Sequence, residues 1–279
     1  MVTTTLYDSL NRTLSVTTPD NSVSTFSYSG NQTTATDPAL VARTTATDAA
    51  GRLTSVTEAG PVFTCYKYDA LDDLTNVYQA AASIQSGVCN VSGAKARTFN
   101  YDPLKRLTSA QQPESGTISY SYDNNGNVLT RTDANTNKVA MTYDALNRMA
   151  SKTYTVVSGY STPNVTLCYD GSTTAQGCAP PTGVSFLGNL VGHLTQVSSS
   201  ASVTSYPQFD VFGDPLQSVQ TTSNTGYQFY YTYNLANAMT TMTLPSHRLL
   251  TWNYDIANRP ISLQGNLSGG TTYYTTQEH

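Results

Sequence analysis

A short motif that returns along the whole chain constrains its fold more than any other feature. The pair Tyr122-Asp123 is followed 21 residues later by Tyr143-Asp144 and preceded 21 residues earlier by Tyr101-Asp102. The same aromatic-Asp pair, or a degenerate form of it, recurs near this interval from Tyr7-Asp8 to Tyr254-Asp255. A fixed period of this length indicates one supersecondary unit copied in tandem. We therefore predict a single repeat segment over residues 1–279 with about 12 units and irregular insertions near 79–97 and 170–187.

The residues after each aromatic-Asp pair predict a tight turn. An Asp side chain at the first turn position can accept a hydrogen bond from the backbone two residues on, which starts a type I turn. Three residues after the Asp stands Gly or Asn in most units, as at Gly126 and Asn147. These residue types tolerate the positive φ that a type I turn with a bulge requires. Lys105 breaks this pattern, and we expect a less regular turn there.

The segments between the turns predict strands. Charged residues make up only 11% of the chain, and Thr, Ser, Tyr, Val and Asn replace the good helix formers,. Aromatic side chains recur two residues apart, as in Tyr120/Tyr122 and Trp252/Tyr254. Residues i and i+2 share a face of a strand, so these rings form a ladder across neighbouring hairpins. The predicted fold is all-β, with tandem antiparallel hairpins of about 21 residues in one long coiled sheet and little or no helix.

The repeat resembles that of the YD-repeat, or Rhs (rearrangement hotspot), family. The resemblance rests on segments such as 51–56, Gly-Arg-Leu-Thr-Ser-Val, followed by Tyr66-Lys67-Tyr68-Asp69. It implies a β-strip that spirals into a hollow shell, which in bacteria commonly encloses a toxin or effector. Other members are secreted or cell-surface proteins. The Arg-Tyr-Tyr-Asp-Pro-like segment that closes toxin-bearing shells is absent, so the resemblance implies a segment of shell wall without its cargo.

Four cysteines fall at the two irregular intervals. Cys65 and Cys89 lie just before and inside the spacing of 33 residues that begins at Tyr68, and Cys168 and Cys178 lie on either side of Tyr169, where the spacing of 26 residues ends. We favour these two disulfides among the three possible pairings. Disulfides would place the chain outside the cytosol. Free buried thiols and a metal site are the alternatives, but the short Cys-x-x-Cys spacing of a metal site is missing.

The sequence predicts no catalytic residue, no cofactor and no metal site. His193 aligns with the Arg of other repeats and His247 lies in a turn, so both are interpreted as structural. The recurrent Asp residues have a turn-capping role, whereas glycoside hydrolysis needs two carboxyls in one cleft. The acidic run Asp69 to Asp73 is the nearest approach to a calcium loop, and we interpret it as structural as well,.

An aromatic cluster near the C-terminal end is the best candidate for contact with a ligand. Its members are Tyr227, Tyr230, Tyr231, Trp252 and Tyr254. Exposed rings of this kind would suit sugar binding by stacking, with Thr and Asn neighbours supplying hydrogen bonds. The alternative is that the rings pack between strands of a sheet that has no separate core.

The bulk properties narrow the choice of function. A net charge of −4 argues against nucleic acid as a partner, and no apolar run is long enough for a membrane span,. No signal peptide is present, so the protein is either cytosolic or a piece of a longer exported chain. Because the sequence begins inside one repeat and stops inside another, we expect a secreted or cell-surface protein exported as part of a longer chain. Bare sheet edges would favour self-association. The predicted function is a structural wall segment that encloses or displays a toxin or effector, or mediates surface contact; the alternative is a module that binds carbohydrate, such as cell-surface glycans, or protein.

Overall fold

A computed structural model describes residues 2–60, 62–85, 88–157, 159, 161–171, 178, 184–266 and 272–276. All regular structure among these residues is β-strand. The chain forms two compact units, one of Met1–Ser121 with Arg131–Asn135 and one of Tyr122–Thr130 with Thr136–His279. Nothing helical in the described part of the chain is long and apolar enough to cross a membrane.

Unit 1 is an antiparallel meander. Its strands are β1 (Thr4–Tyr7), β2 (Thr13–Thr17), β3 (Val23–Ser29), β4 (Gln32–Thr36), β5 (Ala42–Thr47), β6 (Leu53–Glu58), β7 (Val62–Tyr68), β8 (Leu74–Ala81), β9 (Ser83–Gln85), β10 (Val88–Asn90), β11 (Lys95–Tyr101) and β12 (Leu107–Gln112). Strands β1 to β8 pair in chain order, and β8 then pairs with β11. The intervening β9 and β10 form a separate hairpin. The boundary between the units falls around β13 (Gly116–Tyr122) and β14 (Val128–Thr132).

Unit 2 repeats the same arrangement. Its strands are β15 (Lys138–Tyr143), β16 (Met149–Thr155), β17 (Val165–Tyr169), β18 (Leu194–Ser198), β19 (Ser202–Phe209), β20 (Pro215–Thr222), β21 (Thr225–Tyr233), β22 (Met239–Thr243), β23 (Leu249–Tyr254), β24 (Pro260–Asn266) and β25 (Thr272–Thr276). Each strand from β15 to β24 pairs antiparallel with the next in the chain. The predicted all-β fold of tandem antiparallel hairpins is confirmed. That 1–279 is a single segment stays a prediction.

The two faces of the sheet differ within each unit. We call the side that carries the tyrosines of the aromatic-Asp pairs the tyrosine face and the other the opposite face. In a regular strand such as β3 or β13, the residues on the tyrosine face are partly buried. The Ser and Thr residues between them, such as Ser119 and Ser121, are exposed. The apolar packing of a regular repeat therefore lies on its tyrosine face.

Two insertions change the opposite face, one in each unit. In unit 1, Ala46, Ser55 and Cys65 pair in a row across β5, β6 and β7 and are buried. A disulfide joins Cys65 to Cys89 of β10 and so holds the β9–β10 hairpin to this face. In unit 2 the buried row on the opposite face contains Cys168, Gln196, Ser205 and Val219, one from each of β17 to β20. Cys168 is bonded to Cys178 of the second insertion.

Candidate functional site

The recurrent Asp residue organises each turn through its side chain and its backbone. In the repeat that contains Asp144, the backbone carbonyl of Asp144 accepts a hydrogen bond from the N–H of Asn147 at 3.0 Å, and Asn147 has a φ of 59°. Its Oδ1 accepts from the N–H groups of Leu146 and Arg148, each at 2.9 Å. The register shifts at the end of β15, as a bulge requires,. The turn is therefore the type that the Asp and Asn positions predict.

An arginine four residues after the Asp has two roles. Arg148 donates from Nε to Asp144 Oδ2 at 2.7 Å within its own turn. Arg148 also donates to both carboxylate oxygens of Asp170 in the next repeat, at 3.2 and 2.8 Å. Its guanidinium lies 4.3 Å from the ring centroid of Tyr169, within cation–π range,. The Arg of one repeat thus connects its own turn to the next Tyr-Asp pair.

The same Arg arrangement recurs elsewhere, although not every contact is present in every repeat. Arg12 is paired with Asp8 and lies 4.3 Å from the ring of Tyr28. Arg52 is paired with Asp48 and Asp72 and lies 5.2 Å from the ring of Tyr68. The same Asp–Arg pair occurs at Asp102–Arg106 and Asp255–Arg259. Sequence reasoning missed this role, although the recurrence of Arg at a fixed distance from the Asp was a visible signal.

The hydroxyls of the tyrosines in the aromatic-Asp pairs connect consecutive repeats. Six of these hydroxyls donate to the backbone carbonyl of the first residue of a strand in the preceding repeat. The described bonds are Tyr28 to Thr13 at 2.8 Å, Tyr101 to Leu74 at 3.1 Å, Tyr143 to Val128 at 3.0 Å, Tyr169 to Met149 at 3.1 Å, Tyr233 to Pro215 at 3.1 Å and Tyr254 to Met239 at 2.7 Å. A phenylalanine could fill the same space but could not make this bond, so the hydroxyl explains the preference for tyrosine.

These contacts stabilise the ionised form of the turn carboxylates. The side-chain hydrogen bond from Arg52 lowers the pKa of Asp48, and the backbone N–H of Arg52 lowers it further. The hydroxyl of Thr18 and then that of Ser22 lower the pKa of Asp20 to about 2. The carboxylates are thus charged acceptors at neutral pH, as the turn requires.

Two repeats replace the Arg by an Asp. Asp73 and Asp214 each donate their backbone N–H to the turn Asp, at 2.9 Å. Each has a buried Oδ2 with no hydrogen-bond partner among the described residues. Burial, followed by the charge of Asp214, raises the pKa of Tyr233 to about 12. These repeats keep the turn but lose the ion pair.

The turn at Lys105 corrects a prediction. We expected an irregular turn there, but Lys105 has a φ of 62° and its N–H donates to the carbonyl of Asp102 at 2.9 Å. The side chain of Asp102 accepts from the N–H groups of Leu104 and Arg106 at 2.9 and 3.0 Å. The capping carboxylate and the flanking strands impose the conformation, so the turn tolerates a residue that does not favour positive φ.

The five candidate aromatic residues do not form one cluster on one face. Tyr227 and Tyr231 share the tyrosine face of β21 with Tyr233, and Trp252 and Tyr254 lie on that face of β23 because Met242 pairs with both Tyr231 and Leu250,. The Tyr231 hydroxyl lies 2.8 Å from Ser218 Oγ, and Tyr254 and Trp252 are partly buried. Tyr230 lies on the opposite face.

A groove surrounds Tyr230, and we call it the Tyr230 groove. Gln228 and Tyr230 line both of its halves. One half, of about 350 Å³, extends to Leu187, Gln208 and Gln217, and the other, of about 310 Å³, extends to the turn that contains His247. Sequence reasoning missed the groove, because it depends on the register of β19 to β22 and on the path of the segment 184–188.

The other candidate residues lie apart. The ring of His193 stacks on Phe209 at 4.3 Å, and His247 is exposed in a turn with a φ of 62°. Asp72, in the acidic run, is paired with Arg52 at 2.6 Å. Within the described residues no three His, Cys, Asp or Glu side chains are grouped so that they could hold a metal ion. The two disulfides are the pairings that the spacing of the cysteines favoured.

Comparison with known proteins identifies similar repeats and a similar fold. The model of the RHS Repeat family matches residues 7–41, 101–138 and 122–156. No curated protein matches the chain. The crystal structure of TcdB2-TccC3 is 16% identical with a TM-score of 0.76, and the match covers 97% of this chain and 15% of that one.

Two related structures agree with this result. TcdB2-TccC3-Cdc42 matches with 14% identity and a TM-score of 0.76, over 98% of this chain and 15% of that one. The Tc holotoxin pore of Photorhabdus luminescens, with a mutant TccC3, matches with 16% identity and a TM-score of 0.73, over 97% of this chain and 14% of that one. The chain thus spans about a seventh of the length of these proteins, and the likeness concerns the fold.

Proposed function

The chain is an RHS-repeat protein, and from this premise we propose that it is a structural wall segment of a larger secreted or cell-surface protein. The observation that carries the proposal is the way in which each repeat is bonded to the next. Hydroxyl-to-carbonyl bonds such as Tyr143 to Val128, and the contacts of Arg148 with Tyr169 and Asp170, recur along the chain. A wall needs such contacts between neighbours, because each hairpin alone buries too little surface to be stable.

The partner of the wall is the rest of a longer RHS-repeat chain, together with a toxin or effector that the wall encloses or displays. The fold match supports this proposal, because one of the similar structures is a Tc holotoxin pore, and its matched chain is about seven times as long as the matched segment. The two disulfides support a location outside the cytosol, since disulfides persist in oxidising compartments,.

The proposed role is non-catalytic, and the contacts of the turn carboxylates support this part of the proposal. A general acid or base needs a carboxyl group that faces a substrate, with a pKa near the working pH. Asp8, Asp48, Asp144 and Asp255 are instead bonded to backbone N–H groups and to an arginine in their own turns. The pKa of each is lowered, which removes it from the range useful for proton transfer at neutral pH.

Exposed aliphatic side chains at the turns support association with further protein. Leu104 in unit 1 and Leu146, Leu235 and Ile256 in unit 2 follow the Asp or Asn of a turn and are exposed. Within their own units and among the described residues, β1 pairs only with β2, and β25 only with β24. Unpaired edges and apolar rims favour packing against other chains or against the rest of a longer one.

The location and size of the native product test the proposal. An antibody raised against this chain should detect, in cells that make it, a product much larger than 30.0 kDa that is exported or exposed at the surface. Limited proteolysis of that product should leave a resistant core that contains this chain and its cargo. A product of 30.0 kDa confined to the cytosol would contradict the role as a wall segment. A cargo that the protease digests while the chain itself resists would contradict enclosure.

The purified chain provides a second test. We expect it to form dimers or larger species in light scattering, because both the unpaired edges and the apolar turns are exposed. Replacing Leu146, Leu235 and Ile256 together by Ser should shift the distribution toward monomer without changing the thermal unfolding midpoint. A monomer at all concentrations would contradict self-association.

A further inference from the structure

The Tyr230 groove differs chemically from the rest of the sheet surface. Its floor is a row of side chains on the opposite face of adjacent strands, because Gln208 pairs with Gln217 and Gln217 pairs with Tyr230. Gln228 lies two residues before Tyr230 on the same face and completes the floor,. Three primary amides and one phenol ring are therefore concentrated in one place.

The three amides are available to a ligand. Among the described residues, the side chains of Gln208, Gln217 and Gln228 make a single hydrogen bond to protein, in which Gln228 Oε1 accepts from the Tyr230 hydroxyl at 2.5 Å. By contrast, Gln220 of the same strand as Gln217 accepts from Thr204 Oγ1 at 2.6 Å. A primary amide offers two donors and one acceptor oxygen. Gln208 and Gln217 are half-buried, so their amides remain accessible to water or to a polar ligand.

The ring of Tyr230 is both exposed and held in position. It is 45% exposed, and its bond to Gln228 restrains the ring. An aromatic face that is restrained before binding loses little conformational entropy when a ligand packs on it. The groove therefore combines an apolar platform with hydrogen-bonding groups at its margin.

The lining of the groove is almost without ionisable side chains. Among the described lining residues there is no Asp, Glu, Lys or Arg, and His247 is the only basic side chain. Phosphates and carboxylates are normally bound by Arg, Lys or helix N-termini. The groove therefore suits a neutral ligand.

The backbone geometry favours a sugar over a peptide. Extended peptides commonly bind by adding a strand to a free sheet edge. Strands β20 and β21 in the floor are paired on both sides, so the groove offers side chains and not an edge. A pyranose ring presents C–H groups on its face and hydroxyls around its rim, which matches a phenol ring bordered by amides.

We propose that the Tyr230 groove binds a neutral oligosaccharide, with one sugar ring packed on Tyr230 and its hydroxyls bonded to Gln208, Gln217 and Gln228. The two halves of the groove, about 350 and about 310 Å³, lie within the size range of small-molecule sites and share Tyr230,. The groove therefore accommodates more than one sugar residue. This site lies on the opposite face from Trp252 and Tyr254.

Saturation-transfer NMR with the whole chain tests the proposal. Maltotriose, xylotriose, cellotriose and N,N′,N″-triacetylchitotriose serve as neutral probes, and an acetylated Gly-Ser-Gly-Ser peptide serves as the peptide probe. At least one trisaccharide should bind, and Tyr230→Ala should weaken it about tenfold. Gln217→Ala should weaken it severalfold, and Tyr230→Phe should retain most of the binding because it keeps the ring.

The matched control is Tyr227→Ala, because Tyr227 is also 45% exposed and lies in the same strand on the other face. It should leave binding unchanged. Absence of binding by every trisaccharide up to about 10 mM, which is weaker than about 3 kcal/mol of binding free energy, would overturn the proposal. Binding of the peptide alone, or equal loss in Tyr227→Ala and Tyr230→Ala, would also overturn it. Thermal unfolding of each variant identifies any loss that comes from misfolding, and Gln217→Ala then remains as the test.

Discussion

The opposite face of the sheet is exposed in one region of the molecule and buried in another. The first region is the regular repeat of β15 and β16, and the second is the insertion-bearing region of β17 to β20. In the regular repeat, Thr142 is exposed there, and its hydroxyl lies 2.7 Å from that of Ser151. In the insertion-bearing region, the corresponding row of Cys168, Gln196, Ser205 and Val219 is buried. The tyrosine face is similar in the two regions, since Tyr143 and Tyr169 both donate to a backbone carbonyl of the preceding repeat.

This difference separates two roles within one repeat. Contacts on the tyrosine face connect each repeat to the next. The opposite face of a regular repeat is polar and can either remain exposed or be covered by an insertion. The Tyr230 groove lies where the buried row ends, since Val219 is buried and its partner Gln228 is exposed. Variation on the opposite face can therefore add a binding site without altering the wall.

Removing the disulfides should have the largest effect and would reveal how far the insertion-bearing regions depend on them. Replacing Cys65 and Cys89 by Ser should lower the free energy of unfolding by about 3.5 kcal/mol, and replacing Cys168 and Cys178 by about 3 kcal/mol, because each bond restricts the unfolded chain. Urea denaturation measures both values.

The matched control is the unaltered protein under reducing conditions, which should unfold like a variant that lacks both disulfides. Trisaccharide binding at the Tyr230 groove provides a local readout for the second pair, since Val184, Ser185 and Leu187 of that insertion line the groove. A loss of less than about 1 kcal/mol in either variant would mean that the insertion packs equally well without its bond.

The sequence was sufficient for features that depend on neighbours in the chain. The turn geometry at Asp144 follows from residue types within five positions, and the period of the repeat gives the hairpin order. The split between Tyr230 and Tyr231 was also accessible, because adjacent strand residues lie on opposite faces. The groove was not accessible, since Gln208, Gln217 and Tyr230 meet only through the register of three strands, one of which contains a bulge after Ser205. At Lys105 the prediction of a less regular turn was wrong, because it considered the conformational preference of Lys and not the constraint that the flanking strands impose.

Asp144→Ala should have the next largest effect and tests the regular repeat. The substitution removes two backbone acceptor contacts and the bond to Arg148, and we expect a loss of about 2 kcal/mol,. Asp144→Asn is the matched control, because Asn234 caps its own turn by accepting from Ala236 and Ala238. It should cost about half as much. Equal losses for Ala and Asn would assign the whole effect to the ion pair.

The pH dependence of the same pair of proteins sharpens this test. Partial burial acts to raise the pKa of Asp144, but the backbone and side-chain bonds from Arg148 outweigh it and the pKa is lowered. The stabilisation is therefore fully present above the unfolded-state pKa of about 4 and is lost as pH falls below that value. The difference in unfolding free energy between the unaltered protein and Asp144→Ala should narrow as pH decreases from about 5 to about 2. A constant difference over this range would contradict a role for the ionised carboxylate.

Tyr254→Phe and Tyr230→Phe compare the two faces directly with one chemical change. Tyr254 donates to the carbonyl of Met239 at 2.7 Å, so its loss leaves a partly buried carbonyl without this donor and should cost about 1 kcal/mol,. Among the described residues Tyr230 donates to the exposed Gln228 alone, so its replacement should change stability by less than about 0.5 kcal/mol,. Chemical denaturation of both variants measures the difference. Equal losses in the free energy of unfolding would mean that the hydroxyl bond between repeats stabilises the protein no more than the exposed bond of Tyr230.

Exchanging the residues at the fourth turn position should have the smallest effect. Lys105 and Asn147 occupy equivalent positions with φ of 62° and 59°, and Asn tolerates this region better than Lys,. Lys105→Asn should raise the free energy of unfolding by about 0.5 kcal/mol, because relief of backbone strain exceeds the loss of the exposed bond from Lys105 Nζ to the carbonyl of Leu71,. The reverse change, Asn147→Lys, should lower it by a similar amount. Opposite signs measured in the two variants would establish that the turn conformation is imposed by the Asp cap and the flanking strands. Matching signs would assign the preference to side-chain contacts that differ between the two repeats.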